Sequence, residues 1–241
     1  MSERLDAFLA HAGIGSRTDA KRLIRAGRVT LEGTVERDPG AQIRGRSVAC
    51  DGEPVSPPRK DVVLLMHKPA GVSCSHDERE APLVFDLLGE FWRATPLECV
   101  GRLDRETSGL LVLTDDGALN HRLTSPRRHV AKRYRAEFSG KLCGDAAERF
   151  RAGLLLDGED DPTLPAELVA LPAVEGAPHG KATVVLSEGR YHQVRRMLAA
   201  CGVTVTALHR DRIGALDLPA DLPPGRFREA TAEERDALAR R

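Results

Sequence analysis

Nowhere in the 241 residues do eighteen apolar side chains run together, so the sequence offers no membrane-spanning helix. The opening MSERLDAFLA carries acids and lacks a long apolar core, which is unlike a secretory signal. Five cysteines (Cys50, Cys74, Cys99, Cys143, Cys201) are an odd number, scattered, with no C-x-x-C. They argue against a disulfide framework or a zinc site and for free thiols in a reducing cytoplasm. The eight histidines form no H-E-x-x-H, and no G-x-x-x-x-G-K-[ST] is present. A metal-dependent hydrolase and a phosphate-loop nucleotide site therefore lack support. There is no internal repeat, no low-complexity tail and no net charge, with 36 basic residues against 36 acidic. With 41% hydrophobic and 30% charged residues, the chain is an ordinary globular protein of one large or two smaller domains.

A zero net charge hides segregation. Residues 121–135, HRLTSPRRHVAKRYR, hold six Lys or Arg and no acid. Residues 14–28 hold Arg17, Lys21, Arg22, Arg25 and Arg28 against Asp19 alone, whereas 145–175 is rich in acids. Segregated basic segments let a neutral protein present a face to a polyanion, although each run also reads as a solvated helix face.

Leu5, Phe8, Leu9 and Ala12 fall at helical spacing, and Gly13 and Gly15 end that helix. Ser16 is a good N-cap, with Asp19 at the third helical position. Ala20, Leu23 and Ile24 make the apolar face of a second helix, which Gly27 closes. Arg17, Lys21, Arg25 and Arg28 recur at intervals of three and four, on a side away from that face. Residues 28–35, RVTLEGTV, read as a hairpin with a Glu32-Gly33 turn. DGEPVSPPRK, residues 51–60, is loop chemistry and predicts a linker, with a boundary near Pro57–Lys60.

Beyond Val62 strands and helices mix without a regular βαβ repeat. VVLLMHKP, GLLVLT, KRYRAEFSG, KATVVLSEG and VTVTALHR read as strands. The segment around 82–90, ALNHRLTS, DAAERFRAGL and YHQVRRMLAACG read as helical. Residues 154–180 read as a long connection, and Asp115-Asp116-Gly117 as a turn. The expected architecture is α+β, a small domain over 1–50 followed by a mostly antiparallel bent sheet with flanking helices over 61–231, and a tail over 232–241.

Three segments set charge and aromatic groups against apolar elements: Gly101-Arg102-Leu103-Asp104, Lys132-Arg133-Tyr134, and Tyr191-His192-Gln193-Val194-Arg195-Arg196. If they converge, an arginine would hold Asp104 ionised and the phenol ring would stack on a flat base. Taken singly, Asp104 reads equally as a turn residue, Tyr134 as sheet packing, and Arg195 and Arg196 as solvent or phosphate contacts.

Two resemblances bear on this. RLDAFLAHAGIGSRTDAKRLIRAGRVTLEGTV resembles an S4-type RNA-binding domain, matching at Arg4-Leu5, Phe8-Leu9, Ser16-Arg17, Ala20, Ile24, Gly27 and Val29. GRLDRETSGLLVLTDDG resembles the signature of the RsuA/RluA pseudouridine synthases, with Gly101, Arg102, Leu103, Asp104, Thr107, Gly109, Thr114, Asp116 and Gly117 in place. Lys132 and Tyr134 match that family's Lys-x-Tyr, EGRYHQVRRM its strand and basic helix, and Leu208, Arg210 and Gly214 its last motif. The S4 domain together with HRLTSPRRHVAKRY and SEGRYHQVRRM is similar to the RsuA branch.

The resemblance implies isomerisation of a uridine in ribosomal RNA, of the 16S type, by a cytoplasmic monomer without cofactor or metal. It implies Asp104 as the essential carboxylate, Tyr134 stacking on a flipped uracil, and Arg195 paired with Asp104. Arg102 and Leu208 would meet the base, with Lys132 and Arg210 also binding substrate. Arg17, Lys21, Arg22, Arg25, Arg28, Arg127 and Arg128 would hold phosphates. Two readings stay open beside it, the same chemistry on 23S rRNA or tRNA and a non-catalytic ribosome-assembly factor.

Overall fold

The computed structural model describes residues 3–56, 61–93, 95–172 and 180–240. The chain divides into two units, one of residues up to Val62 with Leu88–Glu98, the other of Val63–Leu87 with Cys99 onward.

In the first unit, α1 (Leu5–His11) and α2 (Arg17–Arg25) precede β1 (Val29–Leu31), β2 (Thr34–Val35), β3 (Val48–Cys50) and β4 (Glu53–Val55). The Ser16 hydroxyl and the Asp19 carboxylate form a reciprocal capping box at the start of α2. Glu32 and Gly33 both take positive φ, 50° and 78°, as the tight turn between β1 and β2 requires. Leu5, Leu9, Ala20, Ile24, Val29 and Leu31 meet in one buried cluster.

The strands line up antiparallel in the order β2-β1-β3-β4. This corrects the expected linker over 51–60, because Glu53–Val55 is a strand paired to β3. Pro54 cannot donate to a ladder, and it is tolerated here because β4 is the edge strand. The expected boundary at Pro57–Lys60 lies outside the described residues.

The second unit carries β5 (Val63–Lys68), then β7 (Thr107–Thr114), α4 (Gly117–Thr124), β8 (Lys132–Gly140) and α5 (Ala146–Ala152). Two short elements, α3 (Glu90–Arg93) and β6 (Glu98–Val100), stand between β5 and β7 in the chain. After α5 come β9 (Glu167–Ala170), β10 (Gly180–Leu186), α6 (Gln193–Ala200), β11 (Val203–Ile213), β12 (Leu216–Asp217), β13 (Phe227–Glu229) and α7 (Ala232–Ala239). The sheet runs β13-β5-β7-β11-β8-β10-β9, and β7 and β11 make its parallel pair. Leu110, Leu111, Val112 and Leu113 have no exposed surface, since both faces of β7 are covered.

Four expectations need correction. The helical segment at 82–90 is a 3-10 turn, Val84–Leu87, followed by α3. The long connection contains the edge strand β9, and residues 173–179 of it lie outside the described residues. Asp116 is not a simple turn residue but the N-cap of α4, accepting from the amides of Ala118 and Leu119 at 2.8 and 3.1 Å. The tail includes α7, which opens on a Thr231/Glu234 capping box and buries Leu238.

The parallel pairing of β7 and β11 sets Gly109 opposite Arg210. A Cβ on Gly109 would lie 2.1 Å from the Arg210 carbonyl oxygen. Glycine is the residue that lets these two strands close, and their closure draws Arg210 towards the loop that carries Asp104.

Candidate active site

Asp104 stands three residues before β7, in a loop with little regular structure. A buried lysine sets that loop. Lys68, at the end of β5, has no exposed surface, and its ammonium donates to the carbonyls of Pro69, Arg105 and Thr107 at 2.9, 3.1 and 2.8 Å. Burial lowers its pKa, opposed by the nearby Cys74, Glu106 and Asp104. The amide of Gly71 donates to Arg105 O at 2.8 Å, and Arg105 Nε returns a bond to Gly71 O at 3.2 Å. Thr107 N donates to Asp104 O at 3.0 Å, which closes the turn into the strand.

Asp104 opens onto a cavity of about 490 Å³. Arg102, Thr107, Lys132, Tyr134, Leu208 and Arg210 line it, together with Arg190, Tyr191 and His192. The three segments singled out in the sequence therefore converge. Alternation along β8 turns Lys132 and Tyr134 inward, buried at 8% and 9% exposure, and sends Arg133 and Arg135 to the other face. Those two pair instead with Asp211 at 2.7 and 2.5 Å. Burial raises the Asp211 pKa, but the two guanidinium hydrogen bonds outweigh it and hold the group low.

The cavity is cationic and polar at its floor. Burial brings the Lys132 ammonium down to about 8, with the Arg210 cation adding to the shift. Arg210 is 1% exposed and donates from Nε to Leu110 O at 2.9 Å. Its Nη2 and the Thr107 hydroxyl are buried without a protein partner. Such orphaned groups each cost about 1–3 kcal/mol.

Asp104 itself faces His192, with Nε2 3.6 Å from Oδ1. The Arg195 guanidinium, which the resemblance pairs with Asp104, is engaged elsewhere in this structure. His192 precedes α6 in a left-handed conformation, φ 48°, which turns its ring back towards Asp104. Arg195, within α6, reaches the carbonyls of Glu106 at 3.1 Å and Val205 at 3.4 Å, so it braces the backbone beside Asp104. Sequence reasoning did not single out Lys68, and it named His192 only as part of its segment. A lysine closing an apolar strand before proline was the available sign for the first.

Arg127 and Arg128 sit exposed on a 3-10 turn next to Pro126, which lines the cavity. In the first unit the basic set is less free than expected. Asp6 has no exposed surface and takes Arg4 at 3.1 Å, Arg17 at 3.4 Å and Lys21 at 4.0 Å. Burial raises the Asp6 pKa, but hydrogen bonds from Arg4 and Arg17 keep it low. Arg28 is bound to Asp51 and Arg22 to Asp19. Arg25 remains exposed on α2.

Comparison with known proteins shows the family of the chain. Residues 62–200 match the family described as RNA pseudouridylate synthase, and residues 3–48 match the S4 domain. The chain belongs to the RNA pseudouridylate synthase family. Among the pseudouridine synthases, the ribosomal small subunit pseudouridine synthase A of Escherichia coli (strain K12) is 41% identical over 234 residues, covering 96% of this chain and 97% of that one. The protein of the same name from Vibrio cholerae serotype O1 is 39% identical over 239 residues, again covering 96% and 97%. A solved structure described as a pseudouridylate synthase matches with a TM-score of 0.68 and 34% identity, covering 98% of this chain and 99% of its own. Among the described residues no helix is long and apolar enough to cross a membrane.

Proposed function

We propose that this protein converts a uridine in the RNA of the ribosomal small subunit, the 16S rRNA, to pseudouridine, with Asp104 as the reacting carboxylate. The observation that carries this reading is the convergence of Asp104, Lys132, Tyr134 and Arg210 on one cavity of about 490 Å³. Tyr134 offers a flat ring to a uracil there, and Lys132 a cation beside it. The choice of small-subunit RNA rests on relatives named for that subunit.

The reaction breaks the N1–C1′ bond, turns the base and joins C5 to C1′. The proton at C5 leaves and N1 gains one, so nothing is consumed and no cofactor is required. Asp104 either attacks C1′ or removes a proton from C2′, and both routes need its charged form. Hydrolysis of a glycosidic bond generally employs two carboxylates across the bond, and Glu106 is exposed and outside the cavity lining. Glu188 also lines the cavity, but its carboxylate is taken up by Leu164 N, Gln193 Nε2 and Arg190 Nε at 2.8, 2.6 and 3.3 Å, which leaves Asp104 as the available carboxylate and suits an isomerase.

The target is flipped out of the RNA, at a cost of a few kcal/mol. Arg102 takes part in displacing it, and Leu208 packs against the base. Lys132 and Arg210 meet the nucleotide, while Arg127 and Arg128 at the rim hold phosphates. The unit containing residues 1–50 acts as a separate RNA-binding module through the exposed side of α2, of which Arg25 is the least engaged cation. The protein works as a monomer in the cytoplasm.

The test is site mapping. Unmodified small- and large-subunit RNA are incubated with the protein without nucleotide or metal, and pseudouridine is located by carbodiimide adducts and primer extension. One new stop in the small-subunit RNA is expected, absent with Asp104→Asn. A stop confined to large-subunit RNA would contradict the substrate assignment, and no stop in either would contradict the reading as a whole.

A further inference from the structure

Tyr191 is 77% exposed, more than any other large apolar or aromatic side chain among the described residues. Solvation of so much ring needs a reason in a chain with only nine aromatic residues, six Phe, two Tyr and one Trp. Its backbone is firmly held. Arg196 Nη1 donates to Tyr191 O at 3.3 Å and to Glu159 Oε1 at 2.8 Å, and Arg196 Nη2 donates to Asp157 O at 2.6 Å. Arg190 N donates to Gln193 Oε1 at 2.9 Å, while its guanidinium reaches the carbonyls of Asp161 and Pro162 at 2.8 and 2.7 Å. An exposed ring on an ordered loop has lost much of its freedom before any ligand arrives.

The ring is also backed. Tyr191 and His192 stack with centroids 3.9 Å apart and planes 14° from parallel. His192 holds a left-handed backbone, φ 48°, in that stack. Both rings line the Asp104 cavity, and His192 reaches the carboxylate at 3.6 Å. One face of Tyr191 lies on His192, so its exposure belongs largely to the other face, at the mouth of the cavity.

We propose that Tyr191, backed by His192, is a stacking platform for the nucleobase that adjoins the target uridine in the RNA strand, a reading that rests on the function proposed above. Flipping the target into the cavity strips its neighbour of one stacking partner. A planar ring at the mouth replaces that partner, and it serves any base because every base has a π-face. The stack runs base, Tyr191, His192, and ends on Asp104. A seated neighbour therefore also restrains the imidazole against the reacting carboxylate.

The experiment uses the full chain and a small-subunit RNA fragment spanning the mapped uridine, with 2-aminopurine placed next to that uridine on either side in turn. Stacking quenches its fluorescence. With the non-reacting Asp104→Asn protein, quenching on binding is expected at one of the two positions and lost when Tyr191→Ala is added. Tyr191→Ala in the otherwise unchanged enzyme should raise KM by roughly five- to hundredfold, the range that one base–aromatic stack supports. Tyr191→Phe, which keeps the ring, should recover most of that loss. Because the side chain is exposed, both variants should melt with the unaltered protein, and thermal unfolding checks this. Equal quenching with and without the ring, or an unchanged KM in Tyr191→Ala, would overturn the platform. Absence of turnover by the unaltered enzyme on this RNA would instead overturn the proposed function, so the two failures are distinguishable.

Discussion

Lys132 should trade stability for RNA affinity, and both sides of the trade can be measured. Burial beside Arg210 takes its pKa from 10.5 to about 8. That difference, about 2.5 units, means that holding the ammonium charged in the folded protein costs roughly 3 kcal/mol. The folded pKa lies below the unfolded one, so between about pH 8 and 10.5 the unfolded chain binds more protons. Stability should therefore rise with pH across that window. At pH 7 the full penalty is present. Lys132→Met keeps the volume, loses the charge, and forgoes the bond to Val130 O at 3.1 Å, worth about 1 kcal/mol. The net expectation is stabilisation by about 2 kcal/mol at pH 7, read from urea unfolding, with the gain shrinking as pH approaches 10. RNA binding should move the other way. If the charged form holds an anion, the dissociation constant of the unaltered cavity rises by a factor of roughly ten between pH 7 and 9. The Lys132→Met curve, weaker at pH 7, lacks this rise and corrects for titration of the RNA itself. A Lys132→Met protein less stable than the parent at pH 7, or parallel binding curves for the two proteins, would refute the reasoning.

Other consequences follow from single contacts. Gly109→Ala drives a methyl into the Arg210 backbone at 2.1 Å and should cost at least about 3 kcal/mol, seen as a large fall in Tm. An unchanged melt would mean that the strands are not closed as described. Asp104→Asn should abolish turnover and leave RNA affinity nearly intact, and loss of affinity in a binding titration would assign Asp104 a structural role. Lys68→Met leaves three carbonyls without their shared donor and should lower both Tm and turnover, by about 3 kcal/mol in stability. Full activity in that variant would remove Lys68 from the support of the Asp104 loop.

Elements with a strong local pattern were legible in the sequence. The strand GLLVLT lies within β7, KRYRAEFSG coincides with β8, and the Ser16 cap opens α2. Such patterns come from burial on one or both faces and from caps, which act within a few residues. The edge strands β4 and β9 were not legible. β4 contains a proline and β9 has one buried residue in four, so neither alternates as a half-buried strand does. Ion pairing was equally hidden, because Arg28–Asp51 and Arg133–Asp211 join residues 23 and 78 apart. Arg17, Lys21, Arg22 and Arg28, which looked available for RNA, are ion-paired within their own unit, whereas Arg25, Arg127 and Arg128 are exposed. The site was read as three segments, and the cavity gathers all three. Beside Asp104 the sequence pointed to Arg195, whereas the positive φ at His192, which no local pattern announces, turns that ring towards the carboxylate.

The central claim is that Asp104 drives exchange of the uracil bond from N1 to C5. Each turnover must release the hydrogen at C5. Small-subunit RNA labelled with tritium at C5 of uridine tests this directly. The account predicts release of one tritium per RNA by the unaltered protein and none by an Asp104→Asn protein that still binds. Equal release by both proteins, or no release by either, would contradict it.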